Sequence, residues 1–124
     1  MTTITFPQPC KRLSMNDRMH WAPKANLTRQ WRNSAAFGAE LSLASSDFPQ
    51  PPSLVRVSFP VKQNRRRDPH NAAPTIKAIV DGLVDAGVWV DDSDDYVIVL
   101  DPRFHKEPAD VVIVELIERG ALAS

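Results

Sequence analysis

Residues 74–92, PTIKAIVDGLVDAGVWVDD, carry the pattern that decides the fold. Pro74 suits the first position of a helix, where its missing N–H needs no partner. Gly87 suits the residue just after the last helical turn. Between them an apolar stripe recurs at helical spacing, formed by Ile76, Val80, Leu83 and Val84. The segment therefore predicts an amphipathic helix that ends before a short apolar stretch and an acidic run, Asp91–Asp95.

Four further segments have the β-branched or alternating pattern of strands. They are Thr2–Phe6, Leu54–Val61, Tyr96–Leu100 and Val111–Ile117. In Leu54–Val61, Arg56 and Ser58 alternate with apolar residues, which predicts a strand with one solvated face. Residues 101–110, DPRFHKEPAD, are interpreted as a hairpin loop between the last two strands.

A second helix is expected over Leu27–Ser45, with Asn26 or Thr28 as its cap. Its apolar spacing comes from Trp31, Ala35, Gly38, Leu41 and Ser45. Cys10–Asn26 and Lys62–Ala73 are interpreted as loops, and Asp47–Ser53 as a proline-rich connector. The element order is β-α-β-α-β-β, which predicts one mixed α/β domain over residues 1–124, with a mixed sheet and two main helices.

Composition places the chain among globular proteins of the reducing cytoplasm. Its 124 residues suffice for one ordinary domain. Cys10 is the single cysteine, so no intrachain disulfide can form. We expect a soluble protein without a secretion signal, because the first residues lack an apolar stretch and no window approaches 18 apolar residues.

The formal net charge is zero, but the charges are distributed unevenly. Residues 1–77 hold twelve basic and four acidic residues, a net charge of +8, whereas residues 78–124 hold three basic and eleven acidic residues, a net charge of −8. Such a split allows a cationic face for phosphate backbones and a carboxylate-rich site for a divalent metal. An ordinary salt-bridged surface explains the same distribution equally well.

Three clusters have residue types suited to phosphate chemistry. Arg65–Arg67 next to Asp68 could steer phosphate toward a bound metal, although a solvated loop with a local ion pair is the simpler explanation. Lys77 lies in the first helical turn, where the helix dipole disfavours a cation, and it precedes Asp81 by four residues. This indicates that Lys77 serves a group outside the helix, although a surface ion pair remains the alternative.

The acidic run 91–95 is the third cluster. In an extended chain, Asp91 and Asp92 point to opposite faces, so only one of them should enter a given site. A bound divalent metal would relieve the repulsion among these acids, and a solvated acidic turn is the alternative. His20, His70 and His105 share no zinc-ligand spacing, and the chain has no glycine-rich phosphate loop.

The ordered set of these motifs resembles the RusA-type Holliday junction resolvases, endodeoxyribonucleases common in bacteriophages and prophages. The motifs are Asn16-Asp17-Arg18, then RRRDPHN, then KAIVDGL from Lys77, then GVWVDD ending at Asp92. The resemblance extends over about residues 4–118. Each motif alone is weak, and their order and spacing carry the signal.

The resemblance implies a Mg²⁺-dependent homodimer that makes paired cuts in four-way junctions during DNA recombination and repair. The choice between Mg²⁺ and Mn²⁺ stays open. It implies a cytoplasmic location in a bacterial or phage-infected cell. Asp68, Lys77 and Asp92 match the family's catalytic set, with Asp91 beside the last position. The expected DNA-binding surface comprises Lys11, Arg12, Asn16, Arg18, Lys24, Arg29, Arg32, Arg65, Arg66 and Arg67.

His70 is the departure from the family pattern, because it stands where an aspartate is expected. A neutral imidazole can bind a metal but favours softer ions than Mg²⁺ and adds no negative charge. Either the site binds its metal with fewer protein carboxylates and more water, or another acid such as Asp81 or Asp91 compensates. A further alternative is that His70 contacts a phosphate or assists proton transfer. Two other functions stay open: an impaired relative that binds branched DNA without cutting it, and an interaction domain with no nucleic-acid role.

Overall fold

The computed structural model describes residues 2–13, 21–44, 48–62 and 69–118. A mixed sheet is formed by strands β1 (Thr2–Pro7), β2 (Ser53–Pro60), β3 (Val97–Val99), β4 (Arg103–His105) and β5 (Val111–Glu118). Two helices, α1 (Trp21–Ser42) and α2 (Ala73–Asp85), pack against it, and a short 3₁₀ helix, Pro69–Ala72, precedes α2. The predicted α/β fold and its order of elements are confirmed, with β4 as a three-residue addition.

β2 is the central strand. It pairs antiparallel with β5, which in turn pairs antiparallel with β1. On its other edge β2 pairs in parallel first with β3 and then with β4. The prediction that residues 101–110 form a hairpin loop is wrong, because β3 and β5 lie on opposite edges of β2 and do not pair with each other.

The edge formed by β3 and β4 contains a one-residue bulge. Ser53 pairs with Val97, and Ser58 pairs with Arg103. Between these two pairings, the β3–β4 segment contains one residue more than β2 does. The surplus falls in residues 100–102, where the amide of Leu100 still donates to the carbonyl of Val55 at 2.9 Å. Bulges of this kind re-aim side chains at sheet edges.

The predicted solvated face of β2 is wrong at Ser58, which is buried. Arg56, the other polar residue of that face, is half-buried. The cause is contact with neighbouring side chains on the same face of the sheet, not with solvent. His105 in β4 contacts Ser58 directly, with 2.6 Å between Nδ1 and Oγ. Alternation therefore indicated the strand but not its exposure.

Helix α1 begins earlier than its pattern indicates. The prediction of a loop over Cys10–Asn26 is wrong from Trp21 onward, and the predicted caps at Asn26 and Thr28 are wrong because both residues lie inside the helix. Thr28 instead donates its hydroxyl to the carbonyl of Lys24 at 2.8 Å. The first turns carry exposed side chains, so they lack an apolar stripe that could have marked them.

Trp31 centres the packing of α1 on the sheet. Its ring is fully buried and meets Phe6 and Phe59 edge-on, at centroid distances of 6.3 and 6.0 Å. Ala35 is buried on the same face, whereas Leu41 is 73% exposed, so its assignment to the buried stripe is wrong. The helix ends at Ser42, and Ser45 lies outside the described residues.

Gly82 sets the distance between the two helices. A Cβ at this position would collide with the carbonyl oxygen of Arg32 and lie 3.0 Å from the Cβ of Ala35. Arg32 also bridges the helices through its side chain, with Nε and Nη2 donating to the two carboxylate oxygens of Asp85 at 2.6 and 2.8 Å. The close approach of α1 therefore determines where α2, and the residues it carries, lie over the sheet.

Candidate functional site

The candidate site lies where the first turns of α2 meet the acidic loop that follows the same helix. Lys77 projects from α2 and its Nζ donates to the carboxylates of both Asp81, at 2.8 Å, and Asp92. Asp81 is four residues along the helix and Asp92 is fifteen residues along the chain. The predicted surface ion pair and the predicted contact outside the helix are thus both formed.

Two features place Asp92 opposite Lys77. Gly87 has a positive φ of 86°, and the amide of Val88 donates to the carbonyl of Leu83 at 3.0 Å, which closes the C-terminus of α2 in a Schellman motif. Trp89 then anchors the chain, because its buried Nε1 donates to Ser53 Oγ on β2 at 2.7 Å. The loop is therefore fixed on the sheet three residues before Asp92.

Asp91 and Asp92 have different surroundings, as predicted for an adjacent pair. Asp91 turns back on the chain, where its Oδ1 accepts the backbone N–H of Asp92 at 2.7 Å. Asp92 faces Lys77 and lines a cavity with it. Of the two, Asp92 is the carboxylate directed into the candidate site.

The charges of the site stabilise each other. Hydrogen bonds to Asp81 and then to Asp92 raise the pKa of Lys77, so its ammonium stays protonated. Hydrogen bonding with Lys77, and to a lesser extent with Asp91, lowers the pKa of Asp92. An ionised carboxylate can bind a hard cation, and a protonated lysine can stabilise charge on a phosphate.

Asp101 is a residue that sequence reasoning missed. It lies in the bulge of the β3–β4 edge and lines the same cavity as Lys77 and Asp92. Its position directly after an apolar strand was the available signal. The interpretation of residues 101–110 as a hairpin loop concealed it, because a hairpin would have carried Asp101 away from α2.

The chemistry of these donors fits a hard cation. The structure, within the ranges it describes, contains no group of three acidic, histidine or cysteine side chains that could hold a metal. Two carboxylates, Asp92 and Asp101, nevertheless line one cavity. Mg²⁺ is commonly held by one or two protein carboxylates with water in its remaining positions, so this donor set is compatible with it.

Several predicted site residues lie outside the described residues. These are Asp68, Arg65, Arg66, Arg67, Asn16 and Arg18. The backbone of His70 belongs to the 3₁₀ helix that leads into α2, and its side chain is outside the description. The roles assigned to all seven stay predictions.

The described cations of the predicted DNA-binding surface fall into two groups. Lys11, Lys24 and Arg29 are exposed. Arg12 instead lies over the rings of Phe59 and Phe104, at 5.4 and 5.3 Å from their centroids. Arg32 is committed to Asp85, and hydrogen bonding to this carboxylate raises the pKa of its guanidinium. Lys24, Arg29 and Arg32 line one shallow depression on α1.

The segment before residue 14 is attached to both helices. Trp31 Nε1 donates to the carbonyl of Lys11 at 3.0 Å, and the buried hydroxyl of Thr75 donates to the carbonyl of Leu13 at 2.9 Å. Thr75 lies two residues before Lys77 on α2. These bonds hold the chain around Lys11 and Arg12 against both α1 and α2.

No protein-family model matches the chain, and no curated protein sequence does. Among the described helices, none is both long and apolar enough to cross a membrane.

Proposed function

We propose that this protein is a Mg²⁺-dependent endodeoxyribonuclease of the RusA type that cuts branched DNA in recombination and repair. The observation that carries the proposal is the contact between Lys77 and Asp92, two residues that the motif order assigns to one catalytic set.

In the proposed reaction, Asp92 and Asp68 would hold the metal, which would activate a water and neutralise charge on the phosphate. Lys77 donates to a phosphate oxygen and stabilises the charge that builds there in the transition state. Asp81 would position the Lys77 ammonium if Asp92 bound the metal, since Lys77 contacts both carboxylates. Asp91 steadies the loop through the amide of Asp92.

The proposed DNA surface consists first of the exposed cations Lys11, Lys24 and Arg29, together with Asn16, Arg18 and Arg65–Arg67. Phosphate contacts by these residues would be sequence-independent and sensitive to salt. Arg12 and Arg32 have partners within the protein, so we assign them a smaller contribution to DNA binding. The proposed assembly is a homodimer, because a four-way junction presents two symmetry-related strands for cutting.

The test is cleavage of a synthetic four-way junction in Mg²⁺ and, separately, in Mn²⁺. We expect paired cuts by the wild-type protein. Asp68→Asn, Asp92→Asn and Lys77→Met should each lower the cleavage rate by about 100-fold or more, because each removes a group that acts in the transition state. Lys106→Met, at an exposed lysine away from the cavity lining, serves as the matched control and should cut normally.

Two outcomes would redirect the proposal. If the wild-type protein binds junctions but cuts nothing in either metal, it is an impaired relative, and His70→Asp should then restore cutting if His70 lies in the ligand shell. If affinity for junctions does not fall with rising salt, phosphate binding is absent and the nucleic-acid role is wrong.

A further inference from the structure

A cavity of about 240 Å³ lies between α2 and the edge formed by β3 and β4. Ile76, Lys77 and Val80 contribute to it from the helix, Asp92 from the acidic loop, and residues 99–102 from the bulged edge. It is smaller than pockets for drug-sized ligands, which measure roughly 300–1,000 Å³. The space suits one ring system rather than an extended ligand.

The walls of this cavity are largely apolar. Ile76 and Val80 belong to the buried core and present only an edge to it. Val99 lines the opposite wall and is 47% exposed, although it lies within a strand of the sheet. A partly exposed apolar side chain in a concave site is typical of a surface that contacts a ligand. Phosphate or a hydrated metal alone would gain nothing from these walls.

The polar groups of the cavity are those of the candidate site, Lys77 and Asp92, together with Asp101. A phosphate held at Lys77 carries its base on the adjoining sugar, so the base lies within reach of the apolar wall. In an intact duplex that base is stacked on its neighbours and is not available. At a branch point the base stack is interrupted, so a base there can leave the stack at lower cost.

We propose that this cavity binds the unstacked base of a nucleotide adjoining the phosphate that is cut. The proposal rests on the nuclease function above and adds a source of selectivity to it. Branched DNA is preferred over duplex because less free energy is needed to unstack a base and place it in the cavity. The exposed cations bind the phosphates of both forms alike. Val99 forms the wall against which the base packs.

The experiment uses synthetic junctions that carry 2-aminopurine next to the cut. The cleavage assay first maps the cut, and the fluorescent base is then placed on its 5′ side in one junction and on its 3′ side in another. Stacking quenches 2-aminopurine, so a base that leaves the stack brightens. With saturating wild-type protein in EDTA, one of the two junctions should brighten about twofold or more.

Two matched substitutions separate the cavity from its surroundings. Val99→Phe fills the cavity at a half-exposed position and should reduce the brightening about fourfold or more, and lower the preference for junction over duplex. Val90→Phe makes the same change at a residue that is 81% exposed and does not line the cavity, and should leave the brightening intact. Circular dichroism and thermal unfolding establish that both variants fold.

The failure of this inference is distinguishable from failure of the proposed function. If the protein cuts junctions and neither substrate brightens, or if Val99→Phe brightens as the wild type does, the cavity does not receive a base. If no junction is cut in Mg²⁺ or Mn²⁺, the nuclease assignment itself is overturned, and this inference is overturned with it.

Discussion

The ammonium of Lys77 donates a hydrogen bond to the carboxylate of Asp92, which links α2 to the loop that follows it. The same ammonium is held by Asp81 at 2.8 Å. Under the proposed function, a divalent metal at Asp92 competes with Lys77 for that carboxylate, while Asp81 remains a second partner of Lys77. This competition can be measured without DNA.

Lys77→Met should strengthen metal binding, and Asp81→Asn should weaken it. The first change removes the cation that competes for Asp92, and the second leaves Lys77 with Asp92 as its described partner. Isothermal titration of Mn²⁺ into each variant measures both effects, each expected to be about tenfold or less for groups this exposed. Equal affinities in wild type and both variants would show that Asp92 does not bind the metal.

Asp85→Asn should lower stability at neutral pH by less than about 1 kcal/mol, because the Arg32–Asp85 pair is nearly half exposed. Hydrogen bonding to Arg32 lowers the pKa of Asp85 in the folded protein. A carboxyl with a depressed folded-state pKa contributes stability above its unfolded pKa and loses it as the pH falls through the folded value.

The stability difference between wild type and Asp85→Asn should therefore be full at pH 7 and shrink below about pH 4. Urea unfolding at a series of pH values checks this. Arg32→Met should show the same pH dependence, since it removes the other half of the pair. A difference that persists unchanged at pH 2 would mean that the pair acts through packing and not through charge.

Gly82→Ala should destabilise the protein by about 1–3 kcal/mol or more, as overpacking does in a close-packed core. The added Cβ would meet the carbonyl oxygen of Arg32 across the helix interface. In an exposed helix the same substitution would stabilise by about 1 kcal/mol through helix propensity, so the sign of the effect is diagnostic. A urea midpoint that stays the same or rises would show that the helices separate without cost.

Thr75→Val should cost about 1–3 kcal/mol, because it keeps the shape of a buried side chain and deprives the Leu13 carbonyl of its hydroxyl donor. Thermal unfolding measures the loss. Thr75→Ser retains the hydroxyl and should recover most of the stability. If valine and serine variants behave alike, the lost methyl or the altered packing is responsible rather than the hydrogen bond.

The local sequence pattern predicted most helices and strands correctly, but it did not predict which strands pair with each other. The stripe from Ile76 to Val84, with Pro74 and Gly87 at its ends, correctly predicted α2 because its signals lie within one helix. The start of α1 was missed because its first turns are exposed and carry no stripe. The hairpin over residues 101–110 was wrong because strand pairing depends on partners distant in sequence, here on β2.

The sequence by itself predicted the α/β class, the two helices and four of the five described strands, because each follows from residue type and spacing along a short stretch of chain. The family resemblance added Lys77 and Asp92 as candidates for one catalytic set. Only the tertiary structure decided that Lys77 and Asp92 touch, that Asp91 turns away, and that Asp101 joins their cavity. Those relationships depend on the helix spacing at Gly82, the anchor at Trp89 and the bulge at the sheet edge, which act between segments and leave no periodic trace in any one of them.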